Sequence, residues 1–285
     1  MSTGTTTTTT TATTMMDYYD IAMRAPVAET CCSVNPWKAR LALNFKAAPY
    51  KTHWVSLPDI PKTRTSLGVA PCRKHASGAE YPTLPVLIDH ATGSKIGDSF
   101  EIAVYLQKQY PTSGAGNLFP QDVSEIGYTY GQELAPWMPP LSERNEEPEY
   151  DDYSRFNREV DLAFTTHVGL MGYFLPLENE AAKKVFLDRA GLQSWEQIGV
   201  HGEVRQGLLN GFWAMLNDMA RIFKRRDQGP FILGDRATYA DLCLGGWLFM
   251  ASRTLPKEEW EQVITGNDRV YGRLFETLGK WAEVK

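Results

Sequence analysis

The clearest hydrophobic and polar pattern in the chain lies over residues 81–110, YPTLPVLIDHATGSKIGDSFEIAVYLQKQY. A short apolar run over residues 86–88 follows a proline, and its length and β-branching favour a buried strand over a helix. Turn residues follow over 89–93, and residues 95–96 can return as a second strand, so the pattern predicts a β-hairpin. A helix is predicted after the hairpin, because apolar residues from Phe100 onward recur at helical spacing.

The start of this strand offers an unpaired backbone edge. Leu84 stands before Pro85, and a proline cannot donate to a β-ladder and restricts the residue before it. Such a proline suits a tight or cis turn that leaves the backbone of Leu84 free to bond another molecule. The next helix opens with a carboxylate and a hydroxyl, Asp98 and Ser99. Together these features predict a binding site for a small peptide.

The chain before this stretch predicts a strand, a helix and a second strand. Residues 20–23 are a candidate first strand, and residues 50–57 alternate as a second one. The helix between them covers residues 36–46, with Asn35 suited to the N-cap and a proline at the first helical position. Residues 58–81 are predicted to be irregular.

One face of the predicted first helix is apolar. Trp37, Leu41 and Phe45 fall on this face, whereas Lys38 and Arg40 lie off it. With the elements on either side, the order becomes strand, helix, strand, crossover, hairpin and helix. This βαβ–ββα layout is that of a thioredoxin-like domain, so the predicted fold class is α+β.

After a linker over residues 114–120 no strand pattern follows, and the second domain is predicted to be all-helical. The predicted organisation is a disordered Thr-rich tail over 1–16, a thioredoxin-like domain over 17–113, the linker, and a helical domain over 121–285. The helical candidates are residues 121–138, 150–174, 179–190, 194–226, 238–254, 257–264 and 268–284.

Composition and charge narrow the classes of partner. The 285 residues carry 29 Lys and Arg against 34 Asp and Glu, a formal net charge of −5. There is no basic block and no interleaving of basic with aromatic residues, so no nucleic-acid partner is expected. No apolar run approaches the roughly 18 residues of a membrane span, so no membrane partner is expected. The four cysteines show neither zinc spacing nor disulfide density, which predicts no metal site and, without a signal peptide, a reducing cytoplasmic compartment.

The order TLPVL, hairpin, GDS and helix resembles the second half of the glutathione-binding domain of cytosolic glutathione S-transferases. The resemblance implies glutathione as cosubstrate, with the backbone of Leu84, before Pro85, pairing its cysteinyl part. It also implies that Asp98 and Ser99 hold the γ-glutamyl end. The chemistry agrees, because helix-start N–H groups and Ser99 can take the carboxylate while Asp98 pairs the ammonium. The alternative is a plain N-cap formed by one of these two side chains.

Residues 33–43, SVNPWKARLAL, carry the predicted catalytic groups. They resemble a signature of the zeta-class transferases and, more closely, of the fungal etherase-related transferases. The resemblance places Ser33 at the catalytic serine and Asn35 where the zeta class has a cysteine. A hydroxyl donor beside a helix N-terminus lowers the pKa of a bound thiol, so Ser33 is predicted to activate glutathione. Asn35 is either a second donor or the N-cap.

The adjacent residues Cys31 and Cys32 suggest a competing redox chemistry. Cysteine-type transferases and glutaredoxins place a cysteine in this loop and exchange thiols with it. The alternative is two buried or half-exposed thiols without chemistry, because adjacent cysteines rarely bridge. Four basic residues are further candidates, for the glycyl carboxylate of glutathione: His53, Arg73, Lys74 and His75.

The leading hypothesis is therefore a glutathione S-transferase-like enzyme that adds the activated thiol to a hydrophobic electrophile, with a biosynthetic intermediate among the candidate acceptors. The alternatives are glutathione-dependent isomerisation or ether cleavage, and a non-catalytic ligand-binding protein of the same fold. Aromatic residues such as Trp137, Tyr153 and Phe156 are expected to line the acceptor pocket between the domains. A homodimer is expected, because members of the family commonly pair, and Tyr105, Tyr110, Tyr128 and Tyr130 offer aromatic surface near the seam.

Overall fold

A computed structural model describes residues 14–75, 77–121, 126–134, 138, 140–142, 148–225 and 229–285. The predicted Thr-rich tail lies outside the described residues up to position 13. Met16, at the end of that tail, already belongs to the first strand and is buried. Regular structure thus begins with an apolar side chain that the core covers.

Four strands form one mixed sheet in the order β2-β1-β3-β4. They are β1 (Met16–Ile21), β2 (Tyr50–Val55), β3 (Val86–Asp89) and β4 (Ser94–Ile96). β1 runs parallel to β2, whereas β3 is antiparallel to both β1 and β4. A parallel pair needs a crossover and an antiparallel pair only a hairpin, so the predicted thioredoxin-like βαβ–ββα arrangement is confirmed.

The helices around the sheet are α1 (Val27–Thr30), α2 (Val34–Phe45), α3 (Ile60–Leu67) and α4 (Ser99–Gln109). α2 connects β1 to β2, and α4 follows the hairpin of β3 and β4. Trp37, Leu41 and Phe45 on α2 are buried, as their spacing predicts.

α3 differs from the sequence pattern, which predicts irregular chain over residues 58–81. Prolines in this stretch indicate a break, but a proline fits the first turn of a helix, where its missing N–H has no partner in any case. Ile60 at the start of α3 is buried in the core. Gly68 ends the helix at φ 70°, a left-handed conformation that glycine adopts readily.

The first strand is also displaced from the prediction, since β1 begins at Met16 rather than at residue 20. Its inward positions include Tyr18 and also Asp20, which is 2% exposed. A buried carboxylate interrupts the apolar alternation by which strands are recognised in a sequence. The predicted strand over residues 20–23 overlaps β1 only at Asp20 and Ile21.

Asp20 is buried because Arg40 of α2 pairs with it. Arg40 Nη2 donates to Asp20 Oδ2 at 2.7 Å, and Arg40 Nη1 donates to Thr52 Oγ1 at 3.0 Å. Burial alone would lower the pKa of Arg40, but the Asp20 carboxylate raises it above its usual range. The expectation that Lys38 and Arg40 lie off the buried face is wrong. Both are 0% exposed, because each finds an acidic partner on another element.

The described residues after the linker form the predicted helical domain. Its helices are α5 (Asp151–Thr166), α6 (Gly169–Gly172), α7 (Glu180–Ala190), α8 (Gly202–Met219), α9 (Tyr239–Thr254), α10 (Lys257–Thr265) and α11 (Val270–Leu278). Among the helices described, none is long and apolar enough to cross a bilayer.

One predicted helix of this domain is absent from residues 126–134, which the structure describes. The pattern predicts a helix over residues 121–138, but residues 126–134 have no regular structure. The backbone N–H of Tyr130 donates to Glu159 Oε2 of α5 at 2.7 Å, a donor that a helix would use internally. Tertiary packing against α5 therefore replaces local hydrogen bonding in this segment.

α9 joins the two domains by packing against α2. The N-terminus of α9 is closed by a capping box, in which Thr238 N donates to Asp241 Oδ2 at 2.8 Å. Further along, a Cβ added at Gly246 would lie 2.8 Å from the carbonyl oxygen of Val34. Only a glycine therefore allows α9 to approach the first turn of α2, where the candidate site begins.

Candidate functional site

A cavity with a volume of about 220 Å³ lies beside the start of α2 and is lined by residues of both domains. Ser33, Asn35 and Leu84 of the first domain line it, as do Asp161, Trp247 and Met250 of the helical domain. Three of the six residues predicted for the site, Ser33, Asn35 and Leu84, thus line the same cavity. The other three, Pro85, Asp98 and Ser99, do not line the cavity.

Ser33 and Asn35 stand at the N-terminus of α2. Ser33 is extended at φ −65° and ψ 125°, and the helix begins at the next residue, so Ser33 rather than Asn35 occupies the N-cap position. The Ser33 hydroxyl nevertheless caps no helix N–H. Within the described chain, neither side chain has a hydrogen-bond partner. A hydroxyl and an amide therefore face the cavity at a helix end that carries positive partial charge.

Leu84 contributes its main chain to the same cavity. The Leu84–Pro85 peptide bond is cis. The neighbouring carbonyls are occupied, since Thr83 O accepts from Arg64 Nη1 at 2.6 Å and Pro82 O accepts from Arg189 Nη2 at 3.1 Å. No described residue bonds the N–H or the C=O of Leu84. Two main-chain groups are thus left for a ligand on the cavity wall.

Asp98 is the N-cap of α4. Its Oδ1 accepts from Phe100 N at 2.8 Å and from Glu101 N at 3.3 Å. No described residue donates to Oδ2, so the cap leaves one carboxylate oxygen available. Asp98 and Ser99 are 7% and 2% exposed, which leaves little of either residue open to solvent. Capping and ligand binding are therefore compatible roles for Asp98.

Arg64 of α3 connects the cavity wall to the start of α4. This arginine is 1% exposed, and its Nη1 donates to Thr83 O at 2.6 Å and to Gly97 O at 3.1 Å. Its Nη2 donates to Ala70 O. Because one guanidinium holds both segments, the residues before Leu84 lie next to the N-terminus of α4. The sequence pattern missed this arginine, since it predicted no helix around it.

Two further arginines lie at the rim of the cavity. Arg73 lines it and reaches Pro140 O at 2.9 Å and Ser142 Oγ at 3.1 Å. Arg189 of α7 lines it too, with its guanidinium 4.8 Å from the ring centroid of Tyr81. Neither pairs with a carboxylate of any described residue. The sequence named Arg73 as a candidate, but no motif indicated Arg189.

The other basic candidates lie elsewhere. His53, Lys74 and His75 do not line the cavity. The Nε2 of His53 lies 2.6 Å from Asp17 Oδ1, and the same carboxylate reaches His90 Nε2 at 2.7 Å. Burial raises the pKa of Asp17, but the two imidazoles bring it below its usual range.

The aromatic lining also differs from the prediction. Tyr153 and Phe156 are 4% and 1% exposed and do not line the cavity, and Trp137 lies outside the described residues. Tyr153 instead packs edge-on against Phe119, with ring centroids 5.1 Å apart. The aromatic residues that line the cavity are Tyr81, Phe186 and Trp247. The sequence alone did not distinguish aromatic residues of the core from those that line the cavity.

The thiols of Cys31 and Cys32 are 1% and 0% exposed. Burial raises the pKa of Cys31 to about 11 and raises the pKa of Cys32 further. A thiol reacts as its thiolate, so both groups are held in the unreactive form at neutral pH. The described geometry therefore favours packing over redox chemistry for this pair.

We expect Cys31 and Cys32 of the native protein to resist alkylation by iodoacetamide at about pH 7.5, because burial leaves almost no thiolate there. The reactivity should increase as the pH approaches the raised pKa of Cys31, about 11. Mass spectrometry of peptides from native and urea-unfolded protein measures this labelling, and the unfolded chain is the control. Rapid labelling of either cysteine in the native protein would contradict the expectation.

Comparison with known proteins gives two family matches. The glutathione S-transferase N-terminal domain matches residues 32–109, and the glutathione S-transferase C-terminal domain matches residues 190–281. Among curated proteins, the glutathione S-transferase-like protein ustS of Aspergillus flavus is 24% identical over 282 residues, covering 94% of this chain and 91% of that protein.

Two solved structures of similar fold come from fungi. A glutathione S-transferase of Ceriporiopsis subvermispora, crystallised with glutathione, superposes with a TM-score of 0.76 at 27% identity, covering 95% of this chain and 99% of that one. The glutathione transferase GSTFuA2 of Phanerochaete chrysosporium superposes with a TM-score of 0.72 at 22% identity, covering 95% and 100% of the two chains. At 22% identity, the similarity to GSTFuA2 shows only a shared fold.

Proposed function

The chain belongs to the glutathione S-transferase superfamily, and from that premise we propose that it binds glutathione and uses Ser33 to activate the thiol for addition to an electrophilic small molecule. One observation carries this proposal. The free main-chain groups of Leu84, the unbonded hydroxyl of Ser33 and the amide of Asn35 line a single cavity. A main-chain segment that can pair with a peptide thus lines the same cavity as two hydrogen-bond donors for its sulfur.

The proposed chemistry needs a thiolate at neutral pH. A hydroxyl that donates to sulfur favours the charged form, and the N-terminus of α2 adds its positive partial charge. The thiol proton leaves to solvent, and the thiolate then forms a carbon–sulfur bond with the electrophile; with an enone, the C=C π pair shifts to give an enolate, which solvent protonates. Ser33 remains a hydrogen-bond donor throughout and forms no covalent bond. This role accounts for a hydroxyl that neither caps the helix nor bonds any described residue.

The charged ends of glutathione find complementary groups near the cavity. Asp98 keeps one unpaired carboxylate oxygen for the γ-glutamyl ammonium, and Ser99, at the positive N-terminal end of α4, suits its carboxylate. At the rim, Arg73 and Arg189 have no carboxylate partner among the described residues. A guanidinium without a carboxylate partner is suited to bind the glycyl carboxylate of glutathione.

Glutathione binding tests this assignment through Asp98→Asn. Asparagine caps helices as well as aspartate does, so the fold should stay intact while the negative charge is lost. Removing one partner of a buried charge pair costs about 2 to 5 kcal/mol, so calorimetry should show affinity for glutathione lowered by more than tenfold. Asp152→Asn, an exposed change on α5, is the matched control.

The same titration decides the wider proposal. Wild-type protein should bind glutathione and, at neutral pH, add it to an enone such as benzylideneacetone. If affinity is unchanged in Asp98→Asn, the γ-glutamyl site lies elsewhere. If the wild type neither binds glutathione nor turns over, the function proposed here is wrong.

A homodimer also remains part of the proposal, on the strength of the family alone. The four tyrosines named for its seam do not support it. Tyr128 is 6% exposed, and the hydroxyls of Tyr105 and Tyr110 donate within the chain to Asp89 Oδ2, at 2.7 Å and 2.9 Å. Tyr130 packs edge-on against His167, with ring centroids 6.4 Å apart.

A further inference from the structure

The helical domain contributes a buried carboxylate to the cavity that thiol activation does not use. Asp161 of α5 lines the cavity and is 4% exposed. Its Oδ1 accepts two hydrogen bonds, from Lys38 Nζ at 2.5 Å and from Trp247 Nε1 at 2.7 Å. These bonds hold the carboxylate in one orientation between α2 and α9.

The second oxygen of this carboxylate has no such partner. No described residue donates to Asp161 Oδ2. The Asp161 side chain is 6% exposed, so a ligand can reach this oxygen and donate a charge-assisted hydrogen bond to it. Asp161 belongs to the cavity wall, so a molecule in the cavity is the available source of that donor.

The charge balance indicates which donor fits. The Lys38 ammonium is 0% exposed and donates to Asn157 Oδ1 at 2.9 Å as well as to Asp161. Asn157 Oδ1 also lies 3.1 Å from the thiol of Cys243, so the network is enclosed by protein on that side. Since Lys38 already neutralises Asp161, a neutral hydroxyl suits Oδ2 better than a second ammonium does.

The surface around Asp161 is mostly apolar. On the helical-domain side, Val168, Leu175, Trp247 and Met250 line the cavity with it. An apolar ligand body is favoured against such a wall, and one polar group then sets its orientation. The ligand that fits this wall is an aromatic or aliphatic electrophile with one hydroxyl group.

We propose that Asp161 is a specificity-determining residue, whose Oδ2 accepts a hydrogen bond from a hydroxyl group of the electrophilic acceptor while Lys38 and Trp247 hold it in place. This inference rests on the proposed glutathione transfer, since it names the acceptor class of the same site. It assigns Asp161 no part in activating the thiol.

Two matched acceptors test the proposal: meta-hydroxybenzylideneacetone and meta-methoxybenzylideneacetone. The substituents differ in hydrogen-bond donation but scarcely in their electronic effect on the enone. Wild type should prefer the hydroxyl compound in kcat/KM by about 10- to 100-fold, the factor for a hydrogen bond to a charged group. Asp161→Asn should reduce this ratio to near one, and Asp152→Asn, an exposed change on the same helix, should preserve it.

A second variant controls for the instability that an unpaired buried charge would cause. Lys38→Met with Asp161→Asn removes both charges together, so no unpaired ion stays buried. It should also lose the preference. An equal rate for both acceptors in wild type, or a preference that survives in the variants, would overturn the proposal while leaving glutathione transfer intact.

Binding of unreactive ligands tests the Asp161 site independently of glutathione transfer. The saturated ketones that correspond to the two acceptors cannot react, and calorimetry measures their affinities without turnover. If the protein transfers no thiol, a hydroxyl preference in binding that is lost in Asp161→Asn still supports the Asp161 site, and equal affinities reject it.

Discussion

Replacing Ser33 with alanine should lower glutathione transfer at neutral pH by about 10- to 100-fold, because the variant loses a hydrogen bond to the thiolate. Such a bond to a charged group is worth about 1.5 to 3 kcal/mol, which corresponds to a rise of about one to two units in the pKa of the bound thiol. The ultraviolet absorbance of the thiolate, followed against pH in the glutathione complex, measures that pKa directly.

The loss of activity in Ser33→Ala should depend on pH. Raising the thiol pKa removes thiolate at neutral pH but not well above the new pKa, so the loss of activity should shrink as the pH rises. Affinity for glutathione should change little, because the contacts of Leu84 and Asp98 remain. A loss of equal size at every pH would contradict thiol activation and indicate a role in positioning.

Controls on the same loop separate the candidate donors. Cys31→Ala and Cys32→Ala should keep the pKa of the glutathione thiol, because both sulfurs are buried and stay in the unreactive thiol form at neutral pH. Asn35→Ala tests the second unbonded donor at the start of α2. If Ser33→Ala keeps full activity and Asn35→Ala loses it, the activating donor lies two residues further along the loop.

Asp20→Ala should destabilise the fold by about 3 to 5 kcal/mol, because it leaves the Arg40 guanidinium buried without its counterion. The two side chains are 2% and 0% exposed and lie 2.7 Å apart. Arg40 is also surrounded by aromatic rings, with its guanidinium carbon 5.1 Å from the ring centroid of Tyr18. Water therefore cannot replace the lost carboxylate. Urea unfolding at neutral pH measures the change in free energy.

Two further variants test whether the effect of Asp20→Ala comes from the burial of its ion pair with Arg40. Arg269 and Glu276 form an exposed pair at 2.7 Å, with side chains 56% and 59% exposed, so Glu276→Ala should cost less than about 1 kcal/mol. Asp20→Leu combined with Arg40→Met removes both charges and should recover much of the stability. Equal effects of Asp20→Ala and Glu276→Ala would mean that burial does not strengthen the inner pair.

Local patterns correctly predicted the features that depend on neighbours in the chain. The apolar run before the hairpin, the helix that opens at Asp98 and the apolar face of α2 all follow from side-chain periodicity. The α+β order of elements followed from them. At Asn35 the sequence pattern indicated the N-cap of α2, but Ser33 occupies that position.

The errors occurred where distant residues decide. The pattern places Lys38 and Arg40 of α2 outside, yet Arg40 pairs with Asp20 across the core and Lys38 pairs with Asp161 of the helical domain. In residues 126–134, the backbone N–H of Tyr130 donates to Glu159 of α5, and the segment forms no helix. In each case the deciding partner stands far away in the sequence, so no local window contains it.

By itself, then, the sequence determined the thioredoxin-like order, the helical second domain and a short list of site residues, since these depend on periodicity and motif. Only the tertiary structure decided which of those residues share a cavity. Ser33, Asn35 and Leu84 meet there, whereas Tyr153 and Phe156 pack into the core. Arg189 and Asp161 reach the same cavity from the other domain. Their chemistry depends on which groups the fold leaves unpaired, and a linear sequence does not record that.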